Sequence, residues 1–191
     1  TRPAAAARPA ALALAAGLGL LAAAPEAAAQ SATPPPGGEA PQLVVTETHG
    51  DWEVVCVNGE TPCAMRQYGI ANEQRALQFT VRRIEPQQTE QGTVESVVTI
   101  AVPLLVDLTQ GLQLRVDEAE PASAPYRFCS REACEVRTPV PNALIDSFKR
   151  GATATVSFIY LASGQPQRVD VPVSLMGFTA AYDGLPVTPA N

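Results

Sequence analysis

Four cysteines constrain this chain most, and they come as two short-spaced pairs, Cys56 with Cys63 and Cys129 with Cys134. Six residues lie between the first two and four between the second two. Neither pair has the CxxC spacing of a thiol–disulfide catalyst or a zinc knuckle. Outside the cytosol such thiols read as two structural disulfides. Three pairings are possible. The local ones, Cys56–Cys63 and Cys129–Cys134, are favoured because each pair flanks a turn that brings the Cβ atoms into bonding range. The rival is a pair of long-range bridges joining the two segments across a sandwich. Loops this short remove little chain entropy, so each local bridge contributes roughly 2–2.5 kcal/mol.

The sequence around these thiols points to export. Arg2 and Arg8 precede an apolar run of Ala, Leu and Gly from Pro9 to Ala24, and Ala27-Ala28-Ala29 ends in the small residues that signal peptidase needs. This predicts a signal peptide over 1–29, cleaved before Gln30. The strongly apolar part, about 15 residues, is short for a bilayer span. It holds no cysteine for a lipid anchor. No later window approaches transmembrane length. Residues 30–41, with SATPPPGGEAP at their centre, read as an extended Pro/Gly linker. A single domain is expected over 42–186, followed by a frayed tail over 187–191. The formal charge of −6 becomes more negative once the basic leader is removed. With no Lys/Arg-rich run, that argues against nucleic acid and anionic lipid as partners.

Period-two alternation dominates the rest and predicts strands. Trp52, Val54 and Cys56 share one face; Asn58-Gly59 is the strongest turn signal, and Ala64 to Tyr68 returns from it. Leu77, Phe79 and Val81 alternate until Glu85-Pro86-Gln87, and Val98, Ile100 and Val102 until Pro103. Leu112, Leu114 and Val116 precede an acidic loop over Asp117 to Pro125. Ala154 to Tyr160 and Val169 to Leu175 pair around Ser163-Gly164-Gln165. One helix follows Asn142, a predicted N-cap, with Leu144, Ile145 and Phe148 on one face and Gly151 closing it. Phe178, Ala181, Tyr182 and Leu185 have helical spacing and predict a short closing helix. The expected fold is mainly β: a single immunoglobulin-like β-sandwich with one or two short helices, and Trp52 and Phe178 in its core.

Motifs that carry chemistry are not found. The one histidine, His49, reads as a solvated loop residue, and no GxSxG, HExxH, phosphate-binding or dinucleotide fingerprint occurs. Asp117, Glu118 and Glu120 lack the ordered spacing of a calcium loop. No catalytic, cofactor or metal residue is assigned on this reading.

The residues do resemble a known family, the invasion-associated locus B proteins of bacteria. The likeness rests on GDWEVVC at 50–56 with CAMRQ at 63–67. It continues in PLLVDLTQGLQLRVD at 103–117, YRFCSREACEV at 126–136 and VSLMGFTAAYDGL at 173–185. Two positions depart from the pattern. Ala133 stands where the family usually has glycine, and Leu105 where it has the glycine of a PLG-like turn. The resemblance implies an immunoglobulin-like sandwich in the periplasm or at the outer envelope, with structural roles for the four cysteines and Trp52. It offers no catalytic residues.

The leading functional expectation is therefore a non-enzymatic, disulfide-stapled binding module whose partner is an envelope or host macromolecule. A candidate surface is Tyr126-Arg127-Phe128 with Arg131, beside the acidic 117–120 loop, unless Tyr126 and Phe128 are simply core. The alternatives are a small-ligand carrier or enzyme with a pocket between the sheets, and a purely structural envelope subunit.

Overall fold

The computed structural model describes residues 40–90, 92–161 and 164–190. The predicted signal peptide, most of the predicted linker and Ser163 of the predicted turn lie outside them. Asn58 and Gly59 both have positive φ, 52° and 81°, the conformation of a two-residue hairpin turn whose twist matches its strands. They join β2 (Trp52–Val57) to β3 (Glu60–Ala71). The same chemistry recurs at Asn72 and Glu73, φ 50° and 63°, which turn β3 into β4 (Gln74–Thr89). With β1 (Leu43–His49), β5 (Gly92–Pro103), β8 (Phe128–Cys129) and β9 (Ala133–Pro141), these strands form a seven-stranded sheet in the order β1-β2-β3-β4-β5-β9-β8. A second sheet has the order β11-β10-β6-β7, from β6 (Leu112–Val116), β7 (Ala122–Ala124), β10 (Thr153–Tyr160) and β11 (Gln167–Ser174). Every ladder is antiparallel, and the alternating apolar residues of both sheets face inward as a sandwich core.

Two helices, α1 (Asn142–Arg150) and α2 (Phe178–Gly184), supply aromatic rings to that core. Trp52 stands edge-on to Phe79 at 5.8 Å and to Phe178 at 5.2 Å; Phe148 meets Phe79 at 5.8 Å and Phe178 at 5.3 Å. The contacts close into a circuit of four rings, each about 1% exposed or less. Trp52 Nε1 donates to the Ser174 carbonyl at 3.0 Å, so even its polar edge is satisfied. Gly50 and Gly177 let the β1–β2 turn and the start of α2 meet. Both have positive φ, and a Cβ on Gly50 would lie 2.5 Å from the Met176 carbonyl oxygen.

The structure corrects several expectations. Pro86 does not end its strand: β4 runs on to Thr89, and its pairing with β5 slips between Arg83 and Gln87, an irregularity that tolerates a residue without an N–H. The 117–125 loop contains β7. His49 ends a strand instead of lying in a loop, and its Nε2 sits 2.8 Å from Glu47. Asn142 is the first residue of α1, Pro141 holds the cap position without a side-chain bond, and Gly151 ends the helix at an extended φ of −80°. The tail is not frayed at Thr188. That residue is 5% exposed, bridges Ile84, and gives both its N–H and its hydroxyl to the Arg83 carbonyl.

Leu105 has φ +68° and is 60% exposed, at the position where the resembling family has glycine. A left-handed leucine is strained, so Leu105→Gly is expected to stabilise the domain by about 0.5–1 kcal/mol, read as a higher urea midpoint. Trp52→Ala is expected to cost about 3–5 kcal/mol. An unchanged midpoint for it would remove that ring from the core.

Candidate functional site

The thiols sit where strands face each other. Cys56 is bonded to Cys63 and Cys129 to Cys134, each pair directly opposite in its ladder. The first bridge is buried; the second ties the two-residue edge strand β8 to β9, with Cys134 buried and Cys129 exposed. The described residues include no free cysteine and no cluster of His, Cys, Asp or Glu able to hold a metal ion.

The surface proposed around Tyr126 divides in two. Phe128 is 49% exposed on the outermost strand, whereas Tyr126 packs against the core. Of the acidic loop, Asp117 is committed to structure: its carboxylate accepts the N–H groups of Ala152 and Thr153 at 2.9–3.2 Å, whereas Glu118 and Glu120 stay exposed and Glu118 reaches Arg115 only at 3.9 Å. Arg131 and Phe128 remain exposed, but Tyr126 does not join them as a recognition residue.

A different site emerges where β3 meets β11. Gly69 on β3 makes the approach possible, since a Cβ there would lie 2.6 Å from Val171 Cγ1 of β11 and 2.9 Å from Leu77 Cγ. Beside this contact opens a cleft of about 430 Å³. Alternation along β3 puts Arg66 and Tyr68 on the outward face, and the hairpin return brings Arg75 opposite Ile70. The Arg75 guanidinium lies over the Tyr68 ring, 4.1 Å from its centroid, with the Arg66 guanidinium at 5.5 Å. Arg66 Nε donates to Glu53 Oε2 at 3.0 Å. Gln67, 7% exposed, lines the cleft and donates Nε2 to the Asp51 carbonyl at 3.0 Å. Pro172 of β11 forms the opposing wall. The sequence holds a partial signal for this site, the arginine–tyrosine alternation at 66–68 with Arg75 beyond a two-residue turn. The Pro172 wall is set only by tertiary packing.

Tyr126 offers a check on these placements. Burial, with the Asp107 carboxylate adding to it, pushes its phenol up to about 12. The fold thus favours the neutral phenol. That contribution is complete below the ordinary value of 10.0 and is lost as pH rises to about 12. An alkaline absorbance titration is expected to show a late tyrosinate component near pH 12. Tyr126→Phe is expected to abolish it; persistence of the component in that variant would place Tyr126 elsewhere.

Comparison with known proteins agrees with this architecture. A family model described as Invasion associated locus B (IalB) protein matches residues 52–186. The chain is similar to Invasion protein B of Bartonella bacilliformis, with 26% identity over 144 residues that cover 74% of each chain. It is also similar to the crystal structure of invasion associated protein B from Bartonella henselae, with a TM-score of 0.59 and 20% identity over 74% of this chain and 96% of that one. At that identity the structural likeness speaks for the fold. The family match runs from Trp52 in β2 to beyond the end of α2, and the chain therefore belongs to the Invasion associated locus B (IalB) family.

Proposed function

We propose that this chain is an exported, non-enzymatic binding module of the bacterial periplasm or outer envelope, which docks an envelope or host macromolecule through the β3–β11 cleft. The observation that carries the reading is the cleft itself: guanidinium groups and an aromatic ring, positioned by a hairpin and a glycine-permitted sheet contact, on the outside of a sandwich filled with side chains. Buried side chains from both sheets fill the interior, which favours surface recognition over an internal carrier pocket. Export is supported by the leader-like residues 1–29 and by two disulfides. No helix among the described residues is long and apolar enough to cross a membrane. The printed names of the Bartonella relatives associate those proteins with invasion, and a host-facing partner fits the same reading.

Site-directed photo-crosslinking in intact cell envelopes tests it. A benzoylphenylalanine in place of Tyr68 is expected to give a discrete heavier adduct, while the same probe at Glu90, exposed on the β4–β5 turn, gives none. Equal labelling from both positions, or none from Tyr68, would sink the cleft as the docking surface.

A further inference from the structure

We propose that the group this cleft recognises is a carboxylate side chain on an extended, otherwise uncharged peptide segment of the partner, an inference that rests on the binding reading above. Arg75 carries it. Its guanidinium is held over the Tyr68 ring, and among the described residues no carboxylate pairs with it. A guanidinium seated on a ring face keeps its N–H edge free, and that planar fork matches both oxygens of a carboxylate. Arg66 adds to this, because only its Nε is used by Glu53. The Tyr68 hydroxyl makes no hydrogen bond among the described residues and is a third donor on the same side chains. Both guanidiniums lie against the Tyr68 ring, and all three side chains line the same cleft.

The rest of the lining selects the kind of acid. Ile70, 49% exposed, and Pro172 give apolar walls that suit an aliphatic neighbour of the bound carboxylate. Asp51 and Glu53 also line the cleft, so its two guanidiniums are balanced by two carboxylates on a protein whose formal charge is −6. A phosphate-rich polymer or an anionic lipid surface meets no net attraction there and brings further negative charge against those acids. A single carboxylate flanked by neutral residues brings the least negative charge against those acids while still engaging the Arg75 fork.

The test uses the folded domain with its disulfides intact and ¹⁵N amide shifts as the readout. Two blocked peptides are titrated, acetyl-Ala-Leu-Glu-Leu-Ala-amide and its glutamine counterpart, together with a heparin oligosaccharide as the polyanion. The glutamate peptide is expected to shift amides between Arg66 and Arg75 at millimolar concentration, and the glutamine peptide to bind about fivefold more weakly, since one charge-assisted hydrogen-bond pair is lost in a solvated site. Arg75→Gln is expected to erase that difference, whereas Arg82→Gln, outside the cleft, preserves it; superposable spectra elsewhere report intact folding. Equal cleft binding by both peptides overturns the carboxylate assignment but leaves the cleft as a binding site. Tighter binding of heparin at the same amides overturns the peptide assignment. No cleft shift with any of the three overturns the ligand class, while the Tyr68 crosslink still decides separately whether the cleft docks a partner.

Discussion

The edge-on meeting of Trp52 with Phe178 is the contact on which the rest of the structure depends. Trp52 begins a strand, Phe178 begins the closing helix, and their rings lie 5.2 Å apart. Through Phe79 and Phe148 the same cluster gathers β4 and α1. Each such pair contributes about 0.5–1.5 kcal/mol beyond the area it buries, so the circuit also orients the elements it joins. Around it the chain adds directional bonds. Tyr182 stacks on Phe178 and shares a buried 2.7 Å hydrogen bond with Ser96, and Lys149 pairs with Asp183 at 2.7 Å between the two helices. The exposed ion pair is the weakest of these.

The disulfides do a different job. Each lies across a single antiparallel pair and secures local chain geometry, whereas the aromatic circuit joins the seven-stranded sheet to both helices. The Cys56–Cys63 bridge reinforces a hairpin that Asn58-Gly59 already favours. The Cys129–Cys134 bridge holds an edge strand too short to persist on ladder bonds alone. The second is the more consequential locally, because β8 has only two residues in its ladder.

The parts of this fold legible in the sequence are those fixed by neighbours along the chain. Asn58-Gly59 announces its turn because both residues tolerate positive φ; Leu77, Phe79 and Val81 announce their strand by alternation; Phe178 to Leu185 announces its helix by spacing. Long-range packing decided the rest. Pro86 reads as a stop until the ladder slips around it. Thr188 reads as tail until β4 presents the Arg83 carbonyl. Tyr126 and Phe128, two residues apart, read as one face, but the strand begins only at Phe128 and the earlier residue turns against the core. The cleft was least legible: Arg66, Tyr68 and Arg75 follow from one hairpin, yet Pro172 is distant in sequence and reaches them because Gly69 has no side chain to hold β11 away.

The indole hydrogen bond of Trp52 has a temporal meaning. Its acceptor, the carbonyl of Ser174, lies 122 residues farther along the chain, and the Phe148 and Phe178 rings are also late-made pieces. During synthesis Phe79 follows the tryptophan soon, but the indole's other partners, Ser174 and Phe178, arrive only with the last strand and helix of the domain. Such remote closure slows folding: the architecture cannot be completed from the leading half of the domain alone.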